Sequence, residues 1–169
     1  MKNWLFTLLA GSLALATLTL PAVAQTATTN LLVGVVAEST LTVGAADTPL
    51  SKTDLTFGNF TGTTTLTYKV RIAKSGSTGK ITATFEEFDV PTGGVGPKVA
   101  SDLTLACKPT LGTPSPVGAL SVGPNINIID FVANTRGSGT GTVNWTLVDN
   151  PLFETGNYKS KVTFTMSTT

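Results

Sequence analysis

A strict alternation of apolar and polar side chains recurs along this chain, and it limits the fold more than any other feature. In residues 63–73, Leu66, Tyr68, Val70 and Ile72 alternate with Thr67, Lys69 and Arg71. In residues 141–169, Val143, Trp145 and Leu147 alternate with Thr142, Asn144 and Thr146, and Tyr158, Val162, Phe164 and Met166 fall on one parity further on. A strand points successive side chains to opposite faces, so each run offers one face to a core and the other to water. After residue 24 no stretch keeps apolar residues at helical spacing over ten residues. Threonine supplies 29 of the 145 residues beyond Ala24, and β-branched residues suit a pleated, half-buried surface. The expected fold class is all-β: an antiparallel two-sheet β-sandwich of about nine strands, without helix in the mature chain.

The chain opens with Lys2, a charge-free apolar run over residues 4–20 and the small-residue pattern Ala22-Val23-Ala24. That is the form of a cleaved signal peptide, so residues 1–24 are expected to be removed on export. Residues 25–29 then form a flexible N-terminus and residues 30–169 one sandwich domain. No later run is long and apolar enough to span a bilayer, so no membrane association is expected after cleavage. The mature chain has ten basic and ten acidic residues, which leaves no clustered positive charge for nucleic acid or an anionic membrane. Cys107 is the single cysteine. It cannot form an internal disulfide and reads as a small buried hydrophobe.

Residues 30–37 are apolar on both parities, with Gly34 at a possible bend, so the pattern fits a strand covered on both sides. Two placements follow. The strand pairs within its own domain, or Leu31, Leu32, Val33, Gly34, Val35 and Val36 complete the sheet of a neighbouring subunit. Further strands are expected at 40–44, at 53–58 with Leu55 and Phe57 inward, at 81–85, at 99–107 and at 126–133. The serine- and glycine-rich residues 75–79 read as a hairpin turn joining 63–73 to 81–88. A bulge is expected near Glu86-Glu87, where parity breaks, and another break falls at Ile128-Ile129. Residues 109–124 read as a loop in which at most 119–122 pair, and residues 136–141 as a turn into two adjacent closing strands. The expected core contains Trp145, Phe57, Phe85, Phe164, Tyr68, Val70 and Leu147.

Chemistry-bearing patterns are sparse. The chain has no histidine, so imidazole-dependent triads and the common zinc sites lose their usual residue. Ser77 to Lys80 has the S-x-x-K spacing, but in a turn rather than at a helix start. Glu86, Glu87 and Asp89 are the one local acidic cluster, read as a solvated strand end rather than a calcium site or acid-base pair. The glycine-rich 137–141 stretch precedes a strand and not a helix, so it is no phosphate cradle. Asn59 and Asn144 stand in glycosylation sequons. Trp145, Tyr68 and Tyr158 share the inward parity and read as core rather than as a sugar platform. The expectation is a protein that is not an enzyme and holds no cofactor, metal or catalytic residue.

Leu55-Thr56-Phe57-Gly58 after an early strand, and Gly156-Asn157-Tyr158 leading into Val162-Thr163-Phe164-Thr165, resemble secreted bacterial β-sandwich surface domains of the spore-coat-U-like and archaic chaperone-usher pilin kinds. Trp145-Thr146-Leu147 also looks like a WxL cell-surface signature. The resemblance implies a structural role at the cell surface or in a surface fibre. Its partners would be copies of itself or other surface subunits, with a glycan as the alternative for an adhesion or carbohydrate-binding module.

Overall fold

The computed structural model describes residues 29–52 and 57–168. The leader, its cleavage site and most of the strand expected at 53–58 lie outside the described residues. The chain divides into two units, residues 1–33 and 34–169, and the strands belong to the second.

Among the described residues, eight strands form a two-sheet β-sandwich: β1 (Glu38–Val43), β2 (Phe60–Arg71), β3 (Gly79–Phe85), β4 (Leu103–Pro109), β5 (Thr113–Pro114), β6 (Ile126–Phe131), β7 (Arg136–Leu147) and β8 (Val162–Thr168). The first sheet has the order β1-β2-β7-β4 and the second β5-β6-β3-β8, with every neighbouring pair antiparallel. One helical turn, α1 (Val99–Asp102), precedes β4. The 99–107 stretch expected as strand therefore begins with a turn of helix, where the Glu87 carboxylate accepts from the backbone N–H of Val99 at 2.8 Å and Asp102 from that of Lys98 at 2.7 Å.

The inward parity is as the alternation requires. Leu66, Tyr68, Val70 and Ile72 meet Ile81, Ala83, Phe85, Ile128, Ile129, Phe131, Val143, Trp145 and Leu147 in one core. Phe164 packs against it half-buried, while Phe57 is 68 % exposed under the Lys52 ammonium and outside the core.

Pairing departs from the sequence expectation in three places. The expected 63–88 hairpin does not exist, because β2 and β3 belong to different sheets and residues 72–78 carry the chain across the sandwich. The two closing strands are likewise in opposite sheets: β7 pairs with β2 and β4, β8 with β3. Residues 136–141 are the first half of β7 and not a turn. A Cβ at Gly139 would lie 2.7 Å from the Tyr68 ring and 2.8 Å from Leu111 Cβ, so glycine here makes room for a tyrosine rather than for a bend.

The parity break at Ile128-Ile129 is a bulge: Ile129 faces Ile81, Asn127 faces Thr82, and the extra residue lets both isoleucines be buried. After Phe85 the regular ladder of β3 ends, but backbone bonds continue from Glu86 N–H to the Lys161 carbonyl at 2.9 Å and from Asp89 N–H to the Lys159 carbonyl at 2.8 Å, and the one extra residue on the 86–89 side is the bulge-like offset expected there. In the 109–124 loop, Thr113–Pro114 pairs with β6, and Val122 bridges to Phe85.

Candidate functional site

Residues 29–37 form no strand. Leu31 is 92 % and Leu32 95 % exposed, and Val33, Val35 and Val36 are exposed too. The segment expected to be covered on both faces therefore joins no ladder among the described residues. It leaves β1 at the end where Glu38 faces Arg71, and Arg71 donates to the Val36 carbonyl at 3.4 Å there.

At the opposite end the sandwich is incomplete. β1 reaches only as far as Val43, opposite Leu66, whereas β2 continues another six residues back to Phe60. Along those residues Ser51 bridges to Thr61 and Gly44 donates to the Thr65 carbonyl, with no full strand on the side away from β7. On the facing sheet β8 has one partner, β3, and no strand pairs with its other edge, although β1 lies close to part of it. Between the two edges lies a cleft of about 1310 Å³, lined by Val43, Leu50, Phe60, Phe88, Trp145, Leu147, Val162 and Phe164, with Tyr158 and Lys159 at its rim. The inward side chains of β8 are only half-buried here, while those of the central strands β2, β3 and β7 are buried. A row of core-type side chains without a covering strand leaves unrealised apolar burial.

The cleft has an organised polar floor. Trp145 donates its indole N–H to Thr64 Oγ1 at 2.8 Å, and Thr64 and Thr48 hydroxyls are 2.7 Å apart. The Trp145 ring packs against Phe85 and Phe164, with centroids at 6.2 and 6.4 Å. The alternation placed Trp145 and Phe164 correctly. It gave no sign that Thr64, on the same parity, would be buried as the indole's acceptor.

The other singled-out residues are brought to no common site. Glu86 pairs with Lys161 at 2.9 Å, Glu87 holds the first turn of α1, and the Asp89 backbone pairs with Lys159. Among the described residues no cluster of metal-ligating side chains occurs. Ser77 and Lys80 lie on the crossover and the start of β3. Tyr68 is buried and donates to the Leu111 carbonyl at 2.6 Å, and burial raises its pKa against the lowering effect of that bond. Tyr158, outside any strand, donates to the Glu154 carbonyl at 2.6 Å, so the three aromatic rings form no shared platform. Cys107 is a half-buried free thiol whose pKa burial pushes up to about 11. It stays protonated and unreactive at neutral pH. Asn144 is exposed and accepts from the Thr63 hydroxyl at 3.2 Å. No helix among the described residues is long and apolar enough to cross a membrane.

Comparison with known proteins gave no match: no family model, no characterised protein and no solved structure matches the chain.

Proposed function

We propose that this is an exported, non-catalytic structural subunit of the cell surface or of a surface fibre, and that copies assemble head to tail by strand donation. The observation that carries the reading is an exposed apolar segment together with an uncovered apolar cleft. Apolar residues 31–36 are exposed and lead in sequence into β1 at Glu38, and the cleft beside the unpaired edge of β8 begins where β1 stops at Val43. The donor segment has seven residues, as does β8. Laid along that edge, it would gain backbone hydrogen bonds from β8 while alternate side chains fill the cleft. It joins β1 at Glu38, whereas the cleft begins at the other end of that strand, beyond Val43. Repetition of such a heterologous contact gives an open chain. Export is supported by the leader pattern of residues 1–24.

The test is deletion of residues 25–37. The truncated protein should remain monomeric in size-exclusion chromatography, and a peptide of residues 29–37 should bind it and raise its melting temperature. A truncated protein that ignores the peptide, together with a full chain that stays monomeric at millimolar concentration, overturns strand donation.

A further inference from the structure

The outward face of the first sheet carries threonine in two dimensions. On β2 every second residue from Thr61 to Thr67 is threonine, and on β7 every second residue from Thr140 to Thr146 is threonine save Asn144. The ladder sets Thr67 beside Thr140, Thr65 beside Thr142, Thr63 beside Asn144 and Thr61 beside Thr146. Thr42 of β1 extends the first of these rows and Thr104 of β4 the last. The β2 threonines are exposed, and Thr142 and Thr146 are half-exposed. The charges of this face, Glu38, Lys69, Arg71 and Arg136, stand together beyond Thr67, and Lys108 is on the rim beside Thr142.

Strand geometry gives this array repeats of about 4.8 Å across the strands and roughly 6.8 Å along them. Save Asn144, its units are identical, and all are neutral, each threonine a methyl and a hydroxyl on a stem that branching at Cβ restricts to few rotamers. It has no aromatic ring to stack on a sugar. A matching ligand is itself neutral and periodic in two dimensions. The oxygen lattice of ice repeats at distances close to these, so hydroxyls can join its ordered water while methyl groups occupy the hollows between. Many weak contacts made together by side chains already held in place lose little entropy on docking.

Threonine is common on exposed sheet faces for reasons of propensity alone, and the second sheet shows what propensity alone yields. There Thr84 stands beside Thr163 and Thr82 beside Thr165, but Thr82 is only 4 % exposed, Thr84 is half-buried, and Lys80 and Asp130 face each other across β3 and β6, so the neutral patch is two rows deep and only partly open.

We propose that the outward threonine face of β2 and β7 is an ice-binding surface. It is turned away from the cleft, and the proposal does not depend on strand donation.

The experiment is partition of the purified full-length protein into slowly growing ice. The protein should be incorporated several-fold above an inert protein of equal size. Thr65→Lys, in the middle of the array, should reduce incorporation to the control level. So should the triple change Thr65→Ser, Thr67→Ser and Thr142→Ser, which keeps the hydroxyls and removes the methyls. Thr163→Lys, on the outward side of β8, should leave it unchanged. Circular dichroism checks each fold, and if one array variant misfolds the other decides. Exclusion of the wild type from ice, full incorporation of a folded array variant, equal loss with Thr163→Lys, or retention on crystalline cellulose instead of ice would each overturn the proposal.

Discussion

At the scale of single residues, the bond from Trp145 to Thr64 places two polar groups inside an apolar layer at no unsatisfied cost. Thr64→Val keeps the shape and removes the acceptor, leaving a buried indole N–H without its partner. The expected loss is about 1–3 kcal/mol, read from urea unfolding. Gly139 makes a converse case, in which the missing Cβ is the useful feature. Gly139→Ala pushes a methyl against the Tyr68 ring and Leu111 and should cost about 1–3 kcal/mol by overpacking. Cys107 gives a pH prediction with a definite sign. Burial raises its pKa from 9.0 to about 11 in the fold, so between those values the unfolded chain has released a proton that the folded chain retains. Its contribution to stability is complete below pH 9, falls as pH rises from there, and levels off above 11. Alkylation of the native thiol should accelerate with a midpoint near pH 11, and of the urea-unfolded thiol near pH 9. Coincident midpoints would mean that the thiol is not desolvated. That Cys107 and Tyr68 face inward was legible from parity alone. That Gly139 accommodates Tyr68 was not, because the two lie on different strands and nothing in the glycine run distinguishes a bend from a close approach.

Among the elements, β8 differs from the central strands in being paired on one side only. Its inward Phe164 is half-buried beside the cleft, whereas Phe85 of β3 is 1 % exposed. Truncation should reflect this: Phe85→Ala is expected to cost about 3–5 kcal/mol, the range for a fully buried ring. Phe164→Ala should cost clearly less in the monomer, and equal losses in chemical unfolding would contradict an open cleft. The bulge in β6 was readable because two adjacent isoleucines cannot both point inward on a regular strand. The offset after Phe85 was readable in the same way, since one residue more on the 86–89 side than on the 159–161 side shifts the parity. Residues 99–102 were not, because a four-residue helical turn is too short to express helical periodicity, and the Glu87 carboxylate that anchors it comes from outside the segment.

For the whole molecule, the consequences of strand donation fall on association and not on folding. Val33→Asp with Val35→Asp alters side chains that are 86 % and 66 % exposed. The variant should keep its melting temperature, with a change within about 0.5 kcal/mol. It should lose concentration-dependent growth in light scattering. A variant that still assembles would place the contact elsewhere. Much of this architecture was present in the alternation. A side chain's face follows from the local pleat, so period two identified the strands, their inward residues and an all-β sandwich before any partner was known. The expected hairpin of β2 with β3 and the expected closing pair of β7 with β8 failed together, for one cause. Backbone ladders use the same N–H and C=O groups whatever the partner, so the pattern that buries Tyr68 and Ile81 is satisfied equally by one sheet or by two facing sheets. Proximity in sequence favoured the hairpin, and packing of both apolar faces against each other required the crossover. The cleft was illegible in the same way: that β1 stops at Val43 while β2 runs on to Phe60, and that β8 has an unpaired edge, are properties of strands assembled in space. Sequence alone set which side of each strand is wet; only the tertiary structure decided which strands meet, and where one is missing.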